Sequence, residues 1–216
     1  MQFYTYFCAQ SLQKKTVNYR ASIDINYKNK CKTKSNNKTM SNFQNLLIQR
    51  RSIRKYKDEL LQADETEMIL KAALLSPTSK NSHSWQFIVV EDKEMLEKLS
   101  RCKEHGSKFI ADCALAVVVL GNPLVSDVWV EDASIASIAM QLQAEDIGIG
   151  SCWVQIRERQ YNEQVSAADY VSDMLEIPMP YEVLSIIAFG KKEKERRPND
   201  VGALFWENVH IGEFKS

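Results

Sequence analysis

The hydrophobic spacing from residue 42 onward alternates between helical and strand-like stretches. FQNLLIQ places Phe43, Leu46 and Leu47 on one helical face. DETEMILKAALLS reads as a second helix, opened by a D-x-x-E capping box from Asp64 to Glu67. Pro77 disfavours helix at Ser76 and helps to end it. A polar loop, TSKNSHS, leads into the strand WQFIVVE, and Asp92 is placed to cap a helix through MLEKLSRC. ALAVVVLG, residues 114–121, has the length and β-branching of a buried strand. In EDASIASIAMQLQAEDIG, Ile135, Ile138, Ala139 and Leu142 recur at helical spacing, and Gly148 can close the helix. Its small residues, Ala133, Ala136, Ser137 and Ala139, imply close packing against another helix. SCWVQI is a short strand, AADYVSDMLEI a helix stopped by IPMP, and EVLSIIAFG a last strand ending at Gly190. A polar KKEKERRPND segment and the tail ALFWENVHIGEF follow. The alternation predicts an α+β or α/β domain around one central sheet.

With 216 residues, the chain is long enough for one domain with a good core. Hydrophobic residues at 44% and charged residues at 26% are ordinary for a globular protein. No apolar run approaches the ~18 residues of a membrane helix, so no membrane partner is expected. The five cysteines show no CxxC spacing, and the three histidines form no HExxH pair. That pattern predicts a reducing, cytoplasmic setting with no disulfide framework and no metal site.

The zero net charge hides a division. Residues 1–39 carry +7 and the remainder −7. The first segment is rich in Lys and Asn and lacks sustained periodicity, so residues 1–39 are read as a disordered basic extension. Met40, in MSNFQNLL, is then the natural start, and 40–216 the folded domain. A functionless tail and a nucleic-acid arm are the alternatives for that segment.

The familiar nucleotide motifs are missing: there is no GxGxxG, no GxxxxGK[ST] and no GxSxG. What remains is cationic. RRSIR at 50–54 and KERRP at 194–198 are far apart in sequence, yet each falls at the end of an expected element. Arginine forks and a serine hydroxyl suit a phosphate, although each cluster read alone is a solvated surface patch. SPTSKNSHSW reads alone as a helix-to-strand connector, and Cys152 and Trp153 read alone as core residues.

Taken in order, these stretches resemble the nitroreductase family of flavin enzymes. The resemblance rests on Arg50-Arg51-Ser52-Ile53-Arg54 after the first helix, on SPTSKNSHSW, and on GIGSCW at 148–153. It continues with Gly190 followed by Lys194, Arg196 and Pro198, and with the tail VHIGEF. The match spans residues 42–216. It departs from the family pattern at Ser84, where proline is usual, and at Gln155–Ile156, where an acid followed by glycine is common.

The resemblance implies a central mixed, mainly antiparallel sheet flanked by helices, in a domain-swapped homodimer with two FMN sites at its interface. Arg50, Ser52, Lys194 and Arg196, with Arg51 beside them, would hold the FMN phosphate. Arg54 would lie at the flavin pyrimidine edge, and Pro77, Thr78, Ser79 and Asn81 would reach the flavin of the other subunit. Trp153, Val154, Gln155 and Ile156 would run past the ring, with a backbone N–H near N5. The expected activity is hydride transfer from NADH or NADPH through flavin N5 to a flat nitroaromatic or quinone, with no side-chain acid or base and with Arg54 acting electrostatically. Other acceptors (an enone, an iodinated phenol, flavin itself), a flavin-storing protein without turnover and a nucleic-acid or anion-binding module are the alternatives. No nucleic-acid partner is expected.

Overall fold

The computed structural model describes residues 42–214. The reading of residues 1–39 lies outside them. Residues 42–200 form one compact body, and 201–214 belong to a second unit. The body contains five helices: α1 (Asn42–Gln49), α2 (Ala63–Leu74), α3 (Lys93–Ser100), α4 (Trp129–Asp146) and α5 (Ala167–Met174). Its strands are β1 (Trp85–Val90), β2 (Leu115–Gly121), β3 (Ile149–Gln155) and β4 (Glu182–Lys191). They form one sheet of order β1-β2-β4-β3 in which every neighbouring pair is antiparallel. The parallel component is a single bridge, Ser52 to Ser151.

Both faces of the sheet are covered, which explains why its central strands read as continuous apolar runs. Every residue of β2 is buried. On one face Val118, Leu120, Ile186, Ala188 and Val154 pack with Leu96 and Leu99 of α3 and Val171 of α5. On the other, Val117, Val119, Ile187 and Phe189 pack with Ile69 and Ala73 of α2 and Ala136 and Met140 of α4. The two-residue period of the strands deals alternate side chains to the two cores.

Helix ends follow local chemistry, with one shift. Asp92 accepts the Met95 N–H at 2.9 Å, and Ser166 accepts the Asp169 N–H at 3.0 Å. Gly148 has φ +76°, the left-handed form that glycine adopts freely, just beyond α4. The expected box from Asp64 to Glu67 moves two residues back: Gln62 is the cap, and its N–H donates to Glu65 at 2.9 Å. Glu67 instead pairs with Lys71 one turn on, at 2.7 Å.

The phase of α4 is a second finding. Ala133, Ala136, Ser137 and Met140 are buried, while Ile135 and Ile138 are exposed. The small residues face the core because α2 packs closely there, as the composition of this helix implied. The large aliphatic residues therefore point outward. In the second unit the described tail makes two short turns, Val201–Ala203 and Trp206–Asn208, and His210 stacks on Phe214.

Candidate functional site

The segment RRSIRKY leaves α1 and lies along the free edge of β3. The Ile53 N–H donates to the Ser151 carbonyl at 2.9 Å, and the Lys57 N–H donates to that of Lys191, also at 2.9 Å. Two glycines make room for it. A Cβ on Gly150 would meet the Ile53 side chain at 2.9 Å, and one on Gly190 would meet the Tyr56 ring at 2.8 Å. Tyr56 anchors the segment: its buried hydroxyl donates to the Ile53 carbonyl at 2.7 Å, and burial pushes its pKa far up.

The second basic segment returns to the same place. The Arg196 guanidinium donates to the Ser52 carbonyl at 3.2 Å, and that of Arg51 donates to the Arg197 carbonyl. Asn199 ties the segment to the end of α1 through the Ile48 and Leu47 carbonyls. Between the two segments lies a cavity of about 330 Å³ lined by Ile53, Arg54, Lys55, Glu193, Lys194, Glu195 and Arg196. Four cations against two carboxylates leave it net positive. The Arg54 guanidinium rests 5.9 Å from the centre of the Phe109 ring.

Beneath this cavity the strand end is tied by ion pairs. Lys192, nearly buried, donates to Glu145 at 2.8 Å and to Glu195 at 3.2 Å. Burial alone would lower the Lys192 pKa, but these carboxylates outweigh it and raise it. Lys191 pairs with Glu65 on α2.

The outward edge of β3 continues from there. The Ser151 carbonyl accepts from Ile53, and the Gln155 carbonyl accepts from the Lys103 ammonium at 3.0 Å. Both therefore point away from β4, and by the strand's two-residue period so do the N–H groups of Trp153 and Gln155. The Ile156 N–H points the other way, to the Leu184 carbonyl at 3.3 Å. The Trp153 indole N–H donates to the Gln155 side chain at 2.9 Å. Lys103 is half-buried, and its pKa is lowered by burial first and by Arg159 as well.

The polar loop 78–83 sits elsewhere, against the N-terminal end of α4. Asp132 is 3% exposed and accepts the Ser79 N–H at 2.8 Å, the Ser82 hydroxyl at 3.3 Å and the Ser126 hydroxyl at 3.4 Å. Three non-glycine residues of this loop have positive φ: Lys80 (52°), Asn81 (56°) and His83 (47°).

Comparison with known proteins identifies the family. The family model described as "Nitroreductase family" matches residues 47–118 and 100–191. The chain belongs to the nitroreductase family. A solved FMN-dependent nitroreductase from Clostridium difficile R20291 is 43% identical, with a TM-score of 0.77, over 78% of this chain and 98% of that one. An Archaeoglobus fulgidus protein provisionally named NADH dehydrogenase/NAD(P)H nitroreductase is 36% identical over 155 residues, 70% of this chain and 86% of its own. A Bacillus subtilis protein named FMN reductase (NADPH) is 29% identical over 135 residues, about half of each chain.

The nitroreductase body thus brings some of the expected residues together and leaves others apart. Arg54, Lys194 and Arg196 line one cavity, and the Ser52 backbone is bonded to Arg196. Arg50 and Ser52 lie beside Cys152, whose thiol is pushed up by burial and pulled back by Arg54, Ser52 and Arg50. Pro77, Thr78, Ser79 and Asn81 do not line this cavity. The side chains of Val154 and Ile156 are buried in the core, which leaves only their backbone for a ligand. Three residues escaped the sequence reading: Lys103, Phe109 and Asp132. A signal existed only for Asp132, which shares the helical phase of the small residues Ala133, Ala136 and Ser137.

Proposed function

We propose that this nitroreductase holds FMN with its phosphate in the cationic cavity and its ring along the outward edge of β3, and uses NADH or NADPH to reduce a flat acceptor such as a quinone or nitroaromatic. The observation that carries the reading is the convergence of Arg54, Lys194 and Arg196 on one cavity, with Ser52 bonded to Arg196 across 144 positions of sequence. An excess of cations with forked donors fits a phosphate. When bound, FMN supplies hydride acceptance from a nicotinamide and reduction of the acceptor.

The chain's own contribution is positional and electrostatic. Lys194 and Arg196, which line the cavity, hold the phosphate by charge-assisted bonds, and Arg50, Arg51 and Ser52 reach it from the adjoining crossing, outside that lining. Arg54, kept in place against Phe109, puts a fixed positive charge where reduction adds negative charge to the pyrimidine edge. The Gln155 N–H, rather than that of Ile156, is the backbone donor on the outward edge for flavin N5. Lys103 secures that edge by its bond to the Gln155 carbonyl.

The loop carrying Pro77, Thr78, Ser79 and Asn81 serves the site of a second copy in this reading, since it lies outside its own chain's cavity. Exposed Phe43 and Leu47 on α1, Leu74 on α2, and Ile135 and Ile138 on α4 support a homodimer. Among the described residues no helix is long and apolar enough to cross a membrane.

The test is the visible spectrum of protein purified in the presence of FMN, followed by anaerobic addition of NADH or NADPH. A yellow protein that bleaches on nicotinamide addition is expected. A pale protein, or a yellow one inert to both donors, rejects the assignment. Steady-state assays across quinones, nitroaromatics, enones and halogenated phenols then select the acceptor.

A further inference from the structure

We infer that Asp132 is a positioning residue: its buried carboxylate clamps the loop Thr78–His83 in a strained form that presents Thr78, Ser79 and Asn81 to FMN. The presentation to FMN rests on the function proposed above; the clamp itself does not.

Three observations carry the inference. The carboxylate is 3% exposed, yet the three groups that donate to it are neutral, one backbone N–H and two hydroxyls. A buried carboxylate without a cation is costly unless donors converge on it, and here they come from two separate segments. Ser79 and Ser82 belong to the loop, while Ser126 belongs to the turn after β2. The position also helps, because Asp132 lies in the first turn of α4, where the helix favours negative charge.

The loop needs such a tie. Lys80, Asn81 and His83 adopt left-handed backbone, which disfavours residues with a Cβ and persists only when the surroundings impose it. The loop's own bonds are short-range: the Asn81 N–H to the Thr78 carbonyl at 3.2 Å, the Ser82 N–H to that of Ser79 at 3.0 Å, and the His83 N–H to the Thr78 hydroxyl at 3.2 Å. The bonds to α4 end on Asp132. The carboxylate therefore converts a local turn into a fixed surface, with the Asn81 side chain left exposed.

The test compares wild type with Asp132→Ala and Asp132→Asn by brief trypsin treatment of the FMN-free protein, and by titration of the same proteins with FMN. Asparagine can still accept the Ser79 N–H and can donate to the two hydroxyls. Asp132→Ala should raise cleavage after exposed Lys80, relative to cleavage after Arg159, by at least about tenfold, with a similar rise in FMN Kd, the effect of losing one bond to a charged group. Asp132→Asn should restore both toward wild type. Equal rises at Lys80 and Arg159 would mean general destabilisation and would overturn the clamp. Selective loosening at Lys80 with unchanged FMN affinity would overturn the presentation to FMN. If Asp132→Ala fails to fold, the doubly substituted Ser82→Ala, Ser126→Ala protein takes its place, and unchanged cleavage at Lys80 there overturns the inference. If wild type takes up no FMN, the proposed function fails by itself, and the cleavage comparison alone upholds or overturns the clamp.

Discussion

Two polar regions of this chain stand out, and they are built in opposite ways. The basic crossing at 50–57 docks on the edge of β3 and the end of β4 through several backbone bonds, with two glycines opening space beneath it. The loop at 78–83 has left-handed backbone at three positions, and its bonds to α4 converge on one carboxylate. A segment held by many backbone bonds can lose a side chain without losing its path. A strained loop tied at one point cannot. Substitutions in the crossing should therefore separate ligand affinity from local backbone form, whereas loss of the Asp132 carboxylate should change affinity and the form of the loop together.

The largest effect should come from the enclosed ion pair behind the crossing. Lys192 and Glu145 are 7% and 10% exposed, and the Lys192 stem packs against the position of Gly150. Removing Glu145 leaves the buried Lys192 only the exposed Glu195, and breaking a buried pair costs about 3–5 kcal/mol. Glu145→Ala should lower the unfolding free energy by that amount in denaturant titration. Glu145→Leu combined with Lys192→Met should recover most of it. A single-variant loss under ~1 kcal/mol would show that Glu195 alone sustains Lys192.

Arg196→Ala tests the contrast directly. One charge-assisted bond to phosphate is worth about 1.5–3 kcal/mol, so the FMN Kd should rise roughly 10- to 150-fold. The melting midpoint of the FMN-free protein should hardly move, because the backbone bonds of Ile53 and Lys57 remain. A large fall in that midpoint would show that the crossing, like the loop, depends on single side chains. Gly150→Ala reverses the experiment by leaving every cation in place. Its Cβ would press on Ile53 at 2.9 Å and on the Lys192 stem at 3.0 Å, an overpacking worth about 1–3 kcal/mol of stability. FMN should weaken with it, since Ser52 adjoins the displaced residue.

How far these regions could be read from sequence follows from what holds them. β2 was legible because a strand covered on both faces is apolar throughout, and VVVL needs no phase to interpret. α4 was legible as a helix, but the large side chains of Ile135 and Ile138 suggested a face opposite to the one that is buried. The meeting of Arg196 with Ser52 could not come from local pattern, because 144 residues separate them; only the family resemblance joined the two clusters. Asp132 was hidden for the same reason, since its loop partners lie 50 and 53 positions upstream. The capping box slipped because D-x-x-E and Q-x-x-E overlap in QADETE, and only the backbone shows which residue precedes the helix.

The smallest predicted effect concerns acid stability, and it sharpens the same contrast between enclosed and open contacts. Glu65 and Glu67 lie two residues apart on α2, and both have lowered pKa values. For Glu65 burial is the largest single influence and acts upward, but the bond from Lys191, the Gln62 N–H and the Lys191 charge together outweigh it. For Glu67 the bond from Lys71 dominates, on a surface where water and salt screen it. A carboxyl whose folded pKa lies below its unfolded value contributes stability above the unfolded value and loses it as pH falls through the folded one. The contribution of Glu65 is thus full above its ordinary value of 4.5 and declines on acidification below it. Urea titrations below that pH should show a shallower decline in Glu65→Gln than in wild type. Added salt should leave this difference largely intact, because the Glu65 and Lys191 side chains are only 16% and 27% exposed. Glu67→Gln should follow the wild-type curve closely once salt is present. Equal slopes for Glu65→Gln and wild type would mean that the Lys191 pair gives the end of β4 no net stability.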